Sequence, residues 1–164
     1  MGESIFDVLR EAIDNGNPVA LATVIEGEGA GNKLILGPTG QVHGTLGNES
    51  LDRVVLRDMS GELEAGRTGT RHYGLNGEAR EEALTVFIES FAPPPQMLIF
   101  GAVDFTAALV RVAKVLGYHV TVCDARAVFA TTKRFPLADV VEAQWPDKLL
   151  DSVGSTLGIR DAVC

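Results

Sequence analysis

The residues best suited to ligand chemistry lie at the ends of two short apolar runs, residues 97–100 and 118–123. Asp124 follows the second run, about 20 residues beyond the glycine that ends the first, and in a nucleotide-binding fold an acid at this place accepts hydrogen bonds from a ribose hydroxyl. Arg126 lies two residues later and could bind a phosphate, or could pair with Asp124 or Asp139. The predicted binding residues are Gly101, Ala102, Val103, Asp104, Asp124 and Arg126.

A strand, a turn, a helix and a second strand must position these residues. The run 97–100 is apolar throughout, which indicates a strand buried on both faces. Apolar residues then recur at helical spacing from Ala107 to Leu116, and Gly117 ends the predicted helix. We therefore predict a Rossmann-like parallel βαβ unit whose turn, residues 101–106, lies at a helix N-terminus, where backbone N–H groups favour anions.

The turn itself departs from the dinucleotide-binding pattern G-x-G-x-x-G. Val103 stands where the second glycine would let a pyrophosphate approach the backbone. Asp104 adds a negative charge at the same place, which repels a phosphate. Ordinary NAD binding is therefore not expected, and a βαβ unit that holds no ligand remains an alternative.

The fold class predicted for the whole chain is α/β. Residues 1–91 mix helices with short strands and are predicted to form a small α+β N-terminal domain. Residues 92–96 contain Pro93-Pro94-Pro95 and indicate a stiff extended linker. Residues 97–164 are predicted to form a truncated Rossmann-like domain with three parallel strands, residues 97–100, 118–123 and 140–143, against six in a complete fold.

Composition excludes several classes of function. The net charge of −8 and the pI near 4.8 disfavour nucleic-acid binding. Cys123 and Cys164 are the only cysteines and form no CxxC motif, so we expect no zinc site, no disulfide framework and a reducing cytoplasm. Cys123 is predicted to be buried as a small apolar side chain, and the terminal Cys164 to be unstructured.

Three segments resemble the XdhC/CoxI family, namely residues 100–109 (Phe-Gly-Ala-Val-Asp-Phe-Thr-Ala-Ala-Leu), 120–126 (Val-Thr-Val-Cys-Asp-Ala-Arg) and 134–139 (Arg-Phe-Pro-Leu-Ala-Asp). Proteins of this family are maturation factors for molybdenum hydroxylases such as xanthine dehydrogenase and aerobic carbon monoxide dehydrogenase. The resemblance implies a small N-terminal XdhC/CoxI domain and a C-terminal Rossmann-like XdhC domain. It also implies binding of molybdenum cofactor of the molybdopterin type, sulfuration with a cysteine desulfurase, and delivery to the hydroxylase apo-enzyme.

The chain departs from the family pattern at several places. The family commonly has a glycine and a histidine where this chain has Val103 and Asp104. Residues 44–52 match a Gly-Ser-x-Ser-Gly-Gly-Cys-x-Glu signature in which Ser50 replaces the cysteine. A serine hydroxyl is a poor ligand for soft or sulfur chemistry. The sequence after Pro146 is short for the family, so a C-terminally shortened member is expected, and a homo-oligomer is predicted to cover its open sheet edge.

Three functions are compatible with these features. The leading hypothesis is a cytoplasmic accessory factor that binds molybdenum cofactor near the turn and Asp124 and assists its sulfuration and insertion. The second is a degenerate paralogue without cofactor that acts as a scaffold or dimer partner. The third is a nicotinamide-dependent oxidoreductase domain. The sequence shows no nucleophile–base arrangement that would support independent catalysis, and no catalytic or metal-binding residue is predicted.

Overall fold

The computed structural model describes residues 4–78 and 81–164, which divide into two compact units, Met1–Pro93 and Pro94–Cys164. The first unit contains α1 (Ile5–Asp14), β1 (Val19–Glu26), β2 (Lys33–Leu36), β3 (Val42–Thr45), α2 (Glu49–Ala65), β4 (Gly69–Tyr73) and β5 (Leu84–Phe91). The second contains β6 (Gln96–Phe100), α3 (Thr106–Val115), β7 (His119–Cys123), β8 (Val140–Glu142), α4 (Pro146–Val153), a 3-10 turn (Gly154–Thr156) and β9 (Ala162–Val163). The predicted fold class is confirmed, since the first unit is mixed α and β and the second has a parallel sheet.

The first unit is an antiparallel sheet of five strands in the order β3-β2-β1-β5-β4. The central strand β1 is apolar on both faces because each face packs against a helix. Ala20, Ala22 and Val24 pack in the cluster that includes α2, whereas Val19 and Leu21 pack in the cluster that includes α1. The apolar run in β1 therefore reflects a strand sandwiched between two helices.

The helix α2 shows how local sequence sets the element boundaries in this unit. Its N-cap Asn48 accepts a hydrogen bond from the Leu51 N–H, and its C-cap Gly66 has φ 63°, a left-handed conformation that favours glycine. Glu62 in the last turn is 8% exposed and pairs with Arg67 and Arg71. The guanidinium of Arg71 holds the pKa of Glu62 below its ordinary value.

The second unit is a parallel sheet in the order β8-β7-β6-β9. Helix α3 connects β6 to β7 and places Val110 and Ala113 against Met97, Ile99 and other apolar residues of the sheet. The predicted βαβ unit is therefore present, with each element boundary within one residue of the prediction. A parallel pair needs such a crossover, so the glycine turn and Asp124 lie at the same edge of the sheet.

The C-terminal segment corrects two predictions. Ala162 and Val163 form a fourth parallel strand beside β6, and Cys164 is ordered: its N–H donates to the Leu98 carbonyl at 2.9 Å and its carbonyl accepts from the Phe100 N–H at 2.8 Å. The predictions of three parallel strands and an unstructured Cys164 are wrong because a strand of two residues has no detectable periodicity. The edge strand on this side of the sheet is therefore β9 rather than β6.

Candidate ligand-binding site

The turn after β6 is fixed by a buried hydroxyl. Gly101 has φ 112°, which favours glycine, and its N–H donates to the Cys123 carbonyl at 2.8 Å. Thr106 is fully buried; its Oγ1 donates to the Gly101 carbonyl at 2.6 Å and accepts from the Val103 N–H at 3.3 Å. Thr106 stands where the dinucleotide pattern has its third glycine. Glycine has no side chain, so the hydroxyl hydrogen bonds that close this turn have no counterpart in the dinucleotide pattern.

Asp124 at the end of β7 accepts four hydrogen bonds. Its Oδ2 accepts from the Ala102 N–H and from Nη2 of Arg126, both at 2.8 Å. Its Oδ1 accepts from the N–H and Nε of Arg126, both at 2.9 Å. These four bonds use the accepting capacity of a carboxylate. Asp124 therefore ties the turn to Arg126 rather than offering an open acceptor for a ribose hydroxyl.

The charge of Asp124 is strongly stabilised although the residue is only 6% exposed. The Arg126 guanidinium beside it, together with the Ala102 and Arg126 N–H groups, holds the pKa of Asp124 far below its usual range. Of the two pairings that the sequence left open for Arg126, the structure has the one with Asp124. Asp139 instead accepts from Lys114 Nζ at 2.7 Å and from the Val120 N–H at 2.7 Å.

An open cleft of about 210 Å³ lies beside the turn. Six residues line it: Ala102, Val103, Asp104, Arg126, Phe129 and Arg134. Four of the six predicted binding residues thus line one cleft, while Gly101 and Asp124 support it through the turn.

Phe129 and Arg134 were not predicted. Arg134 belongs to the Arg-Phe-Pro segment of the family resemblance, but nothing in its spacing shows that it returns to Ala102, 32 residues earlier. We call this cleft the arginine cleft.

Two guanidinium groups contact the same aromatic ring in the arginine cleft. The guanidinium carbons of Arg126 and Arg134 lie 4.5 Å and 5.4 Å from the centre of the Phe129 ring. Such cation–π contacts hold a guanidinium in place and leave its N–H groups available. Nη1 of Arg134 donates to the Ala102 carbonyl at 2.9 Å, and Nη2 lies 3.7 Å from the Asp104 carboxylate. The cleft therefore offers planar cationic donors, whose best ligands are phosphates and carboxylates.

Cys123 lies next to Asp124 but is not a reactive group of the site. The residue is buried, as predicted, and its Sγ donates to the Gln144 carbonyl at 3.2 Å. Burial raises the pKa of the Cys123 thiol. A thiol with a raised pKa is a weak nucleophile at neutral pH, so the side chain serves packing.

A second cleft, of about 250 Å³, lies in the first unit, between the β1–β2 connection and the segment that carries Ser50. Nδ2 of Asn32 donates to the Leu46 carbonyl at 3.2 Å and joins the two segments. Gly29 must be glycine, since a Cβ there would lie 3.2 Å from that carbonyl and the backbone has φ 77°. Asp52 accepts from the Leu46 N–H and from Thr45 Oγ1, both at 2.7 Å.

Ser50, which replaces the family cysteine, is half-buried in the first turn of α2. The loop 27–32 is a hairpin connection between the antiparallel strands β1 and β2. Glu28 is among the residues that line this cleft, and its negative charge disfavours an anion there. Within residues 4–78 and 81–164, no group of three His, Cys, Asp or Glu side chains is placed to hold a metal ion.

The helices of the described residues are short. The longest, α2, has 17 residues, and none of the helices in residues 4–78 and 81–164 has the length and apolar character needed to cross a membrane.

Comparisons with known proteins match both units. A family model described as the XdhC Rossmann domain matches residues 97–164, and one described as the XdhC and CoxI family matches residues 12–74. A protein of Bacillus subtilis (strain 168), described as a probable xanthine dehydrogenase subunit, is 30% identical over 70 residues, which are 43% of this chain but 21% of that protein. A solved structure of a xanthine dehydrogenase from Bacillus halodurans is 18% identical, with a TM-score of 0.46, over 99% of this chain and 72% of that chain. Because the two family models together cover most of the sequence, the chain belongs to the XdhC/CoxI family.

Proposed function

We propose that this chain is an accessory factor that binds molybdenum cofactor and assists its sulfuration and insertion into a molybdenum hydroxylase of the xanthine dehydrogenase type. Family membership supports the class of function. The observation that carries the binding step is the arginine cleft, where the guanidinium groups of Arg126 and Arg134 both contact the Phe129 ring beside the turn after β6. The cleft lies at the carboxyl ends of the parallel strands, where ligands of open α/β sheets bind.

The residues of the arginine cleft fit the chemistry of a molybdopterin-type cofactor, which combines a fused ring system with a phosphate. Arg126 and Arg134 supply fork-shaped donors for the phosphate. Val103, which is 37% exposed, and the Phe129 ring supply apolar surface for a ring face. The misfit in the cleft is Asp104, a carboxylate beside the donors. In the first unit, Ser50 offers a hydroxyl where the family has a thiol, so any contact with molybdenum or its sulfur there differs from the family pattern.

The proposed partner is the apo-enzyme of a molybdenum hydroxylase, with a cysteine desulfurase as the sulfur donor. The similarity to a protein described as part of a xanthine dehydrogenase supports the first of these partners. The matched region is only 21% of that relative. We therefore propose the partner from family membership and from the chemistry of the site. A pull-down with purified apo-hydroxylase tests this partner directly.

Equilibrium binding of molybdopterin cofactor to the purified chain, with NADH as a competing ligand, tests the function. We expect micromolar cofactor binding that NADH does not displace, because Val103 and Asp104 occupy the place where a pyrophosphate would approach the turn. Asp124→Ala should weaken cofactor binding, since it releases both the turn and Arg126. Asp151→Ala, at an exposed site on α4, removes the same charge and should leave binding unchanged.

The other outcomes assign the other functions. A folded chain that binds neither ligand but retains the apo-hydroxylase would overturn the proposal in favour of a scaffold. Displacement of the cofactor by NADH, with comparable affinity for both, would instead favour a nicotinamide-dependent domain.

A further inference from the structure

We propose that the arginine cleft is a phosphate-monoester site in which Arg134, assisted by Arg126, binds the phosphate and Asp104 is a displaceable counter-ion of Arg134. The inference deepens the proposed function and rests on it for the natural ligand, but the anion chemistry of the cleft is argued from its own residues. A phosphate monoester could come from a molybdopterin-type cofactor or from a nucleotide, and both present the same terminal group to the cleft.

Arg134 is held in place before any ligand arrives. Its Nη1 donates to the Ala102 carbonyl at 2.9 Å, and its guanidinium carbon lies 5.4 Å from the ring centres of both Phe129 and Phe135. The side chain is 34% exposed, so it is packed along its length and still reached by solvent. A guanidinium fixed in this way loses little conformational freedom when it binds an anion.

Arg126 brings a second cation to the same ring. Two of its side-chain nitrogens, Nε and Nη2, are bound to Asp124, which fixes the plane of the guanidinium and balances its charge. The side chain is 58% exposed, which leaves part of the guanidinium open to solvent. Because Asp124 compensates Arg126, the charge available to an anion comes mainly from Arg134, and Arg126 contributes donors.

Asp104 is the weakest contact in the arginine cleft. Its side chain is fully exposed, and its carboxylate is 3.7 Å from Nη2 of Arg134, which is longer than a hydrogen bond. Exposed ion pairs of this kind contribute little free energy. A phosphate carries up to two negative charges and forms shorter, charge-assisted hydrogen bonds, so it can replace the Asp104 carboxylate at Arg134. The acid in the turn is therefore a competitor of the ligand rather than a barrier to it.

The charge distribution along the chain agrees with an anion site in the second unit. Residues 1–93 contain 15 acidic and 7 basic residues, whereas residues 94–164 contain 7 of each. The net charge of −8 thus belongs to the first unit. The second unit has no net charge, so it carries no excess of negative charge that would repel an anion from the two guanidinium groups.

Calorimetric titration of the full chain with three probes, inorganic phosphate, AMP and molybdopterin, tests the site at constant ionic strength. We expect Arg134→Gln to weaken binding of all three by about ten- to a hundredfold, because it removes charge-assisted hydrogen bonds. We expect Asp104→Asn to tighten binding by up to about fivefold, because it removes the competitor. Lys148→Gln, which removes one positive charge from α4 in the same unit, is the matched control and should leave binding within about twofold.

Asp104→Asn keeps the test decisive if Arg134→Gln fails to fold, since tighter binding cannot arise from unfolding. Unchanged or weaker phosphate binding by Asp104→Asn would overturn the inference, and so would equal losses in Arg134→Gln and Lys148→Gln. Phosphate and AMP binding with the expected pattern but no molybdopterin binding would support the phosphate site and reject the proposed function. Molybdopterin binding that is equal in the wild-type chain and in Arg134→Gln would reject the site and keep the function.

Discussion

Asp124 is the residue on which the geometry of the site depends most directly. Its carboxylate joins the end of β7 to the Ala102 N–H of the turn and to Arg126 of the arginine cleft. We expect Asp124→Asn to lower the free energy of unfolding by about 2 kcal/mol, because an amide has one accepting oxygen and no charge. Urea unfolding at neutral pH measures the effect, with Asp151→Asn on the exposed face of α4 as the control; equal midpoints for the two variants would contradict it.

The pH dependence of stability follows from the same residue. The pKa of Asp124 is lower in the folded chain than its ordinary value of 3.8, chiefly because of Arg126. A group whose pKa is lowered by folding stabilises the fold above its unfolded pKa, and this contribution is lost as pH falls through the folded pKa. The wild-type chain should therefore lose stability as pH falls below about 4, and Asp124→Asn should lose less. Unfolding curves whose difference between the two proteins stays constant with pH would contradict this assignment.

Sequence spacing revealed part of the site and missed the rest for a physical reason. Asp124 and Arg126 are two residues apart, so their pairing is a local possibility that can be recognised in the sequence. Arg134 reaches Ala102 across 32 residues, and the contacts of the Phe129 ring with the guanidinium groups of Arg126 and Arg134 depend on the irregular conformation of the segment after β7. Neither contact leaves a periodic pattern. A hydroxyl at position 106 that closes the turn is likewise visible only in three dimensions.

At the scale of elements, the C-terminal strand β9 depends on a single side chain. Oδ1 of Asp161 accepts from the Gln96 N–H and Oδ2 accepts from the Gly158 N–H, both at 2.6 Å. These bonds join the start of β6 to the turn that precedes β9. The pairing of β9 is short, since only Met97 and Leu98 of β6 are its partners. We infer that Asp161 holds this segment in register.

Asp161→Ala should therefore loosen β9 without disturbing the rest of the sheet. We expect a loss of about 1–2 kcal/mol in the free energy of unfolding, because two backbone donors lose their acceptor. Hydrogen exchange should accelerate most at the Cys164 and Phe100 amides, which bond across the β6–β9 pair. The amides of β7 in its pairing with β8 are the internal reference. Equal acceleration in both places would indicate global rather than local opening and would contradict the role of Asp161.

Local signals in the sequence mark some elements of the fold and not others. The helix α2 has a side-chain N-cap, an apolar stripe and a left-handed glycine at its end, and all three are local signals. The strand β1 also carries a local signal, because seven apolar or β-branched residues follow one another from Val19 to Ile25. The strand β9 has two residues and is defined only by its partner β6, which lies more than 60 residues earlier in the chain.

At the scale of the whole molecule, each unit has its own apolar core and its own charge balance. The first unit packs two helices on an antiparallel sheet, and the second packs α3 on a parallel one. The excess of acidic over basic residues, 15 against 7, is confined to residues 1–93. Like charges repel in a compact state more than in an unfolded chain, so this excess lowers the stability of the first unit.

Salt should therefore stabilise the two units unequally. Raising NaCl from about 0.01 M to about 0.1 M shortens the screening length from about 30 Å to about 10 Å and weakens repulsion between exposed charges. We expect hydrogen exchange of the slowest amides in β1 and β5 to slow with added salt, and hydrogen exchange of the amides in β6 and β7 to change little.

Replacing exposed Glu11 and Asp14 of α1 by Gln and Asn should reduce the salt effect in the first unit. The matched replacement of Asp147 and Asp151 on α4 should not. Phosphate buffer must be avoided, since phosphate bound in the arginine cleft would stabilise the second unit. A salt effect of equal size in both units would contradict the inference that charge repulsion destabilises the first unit.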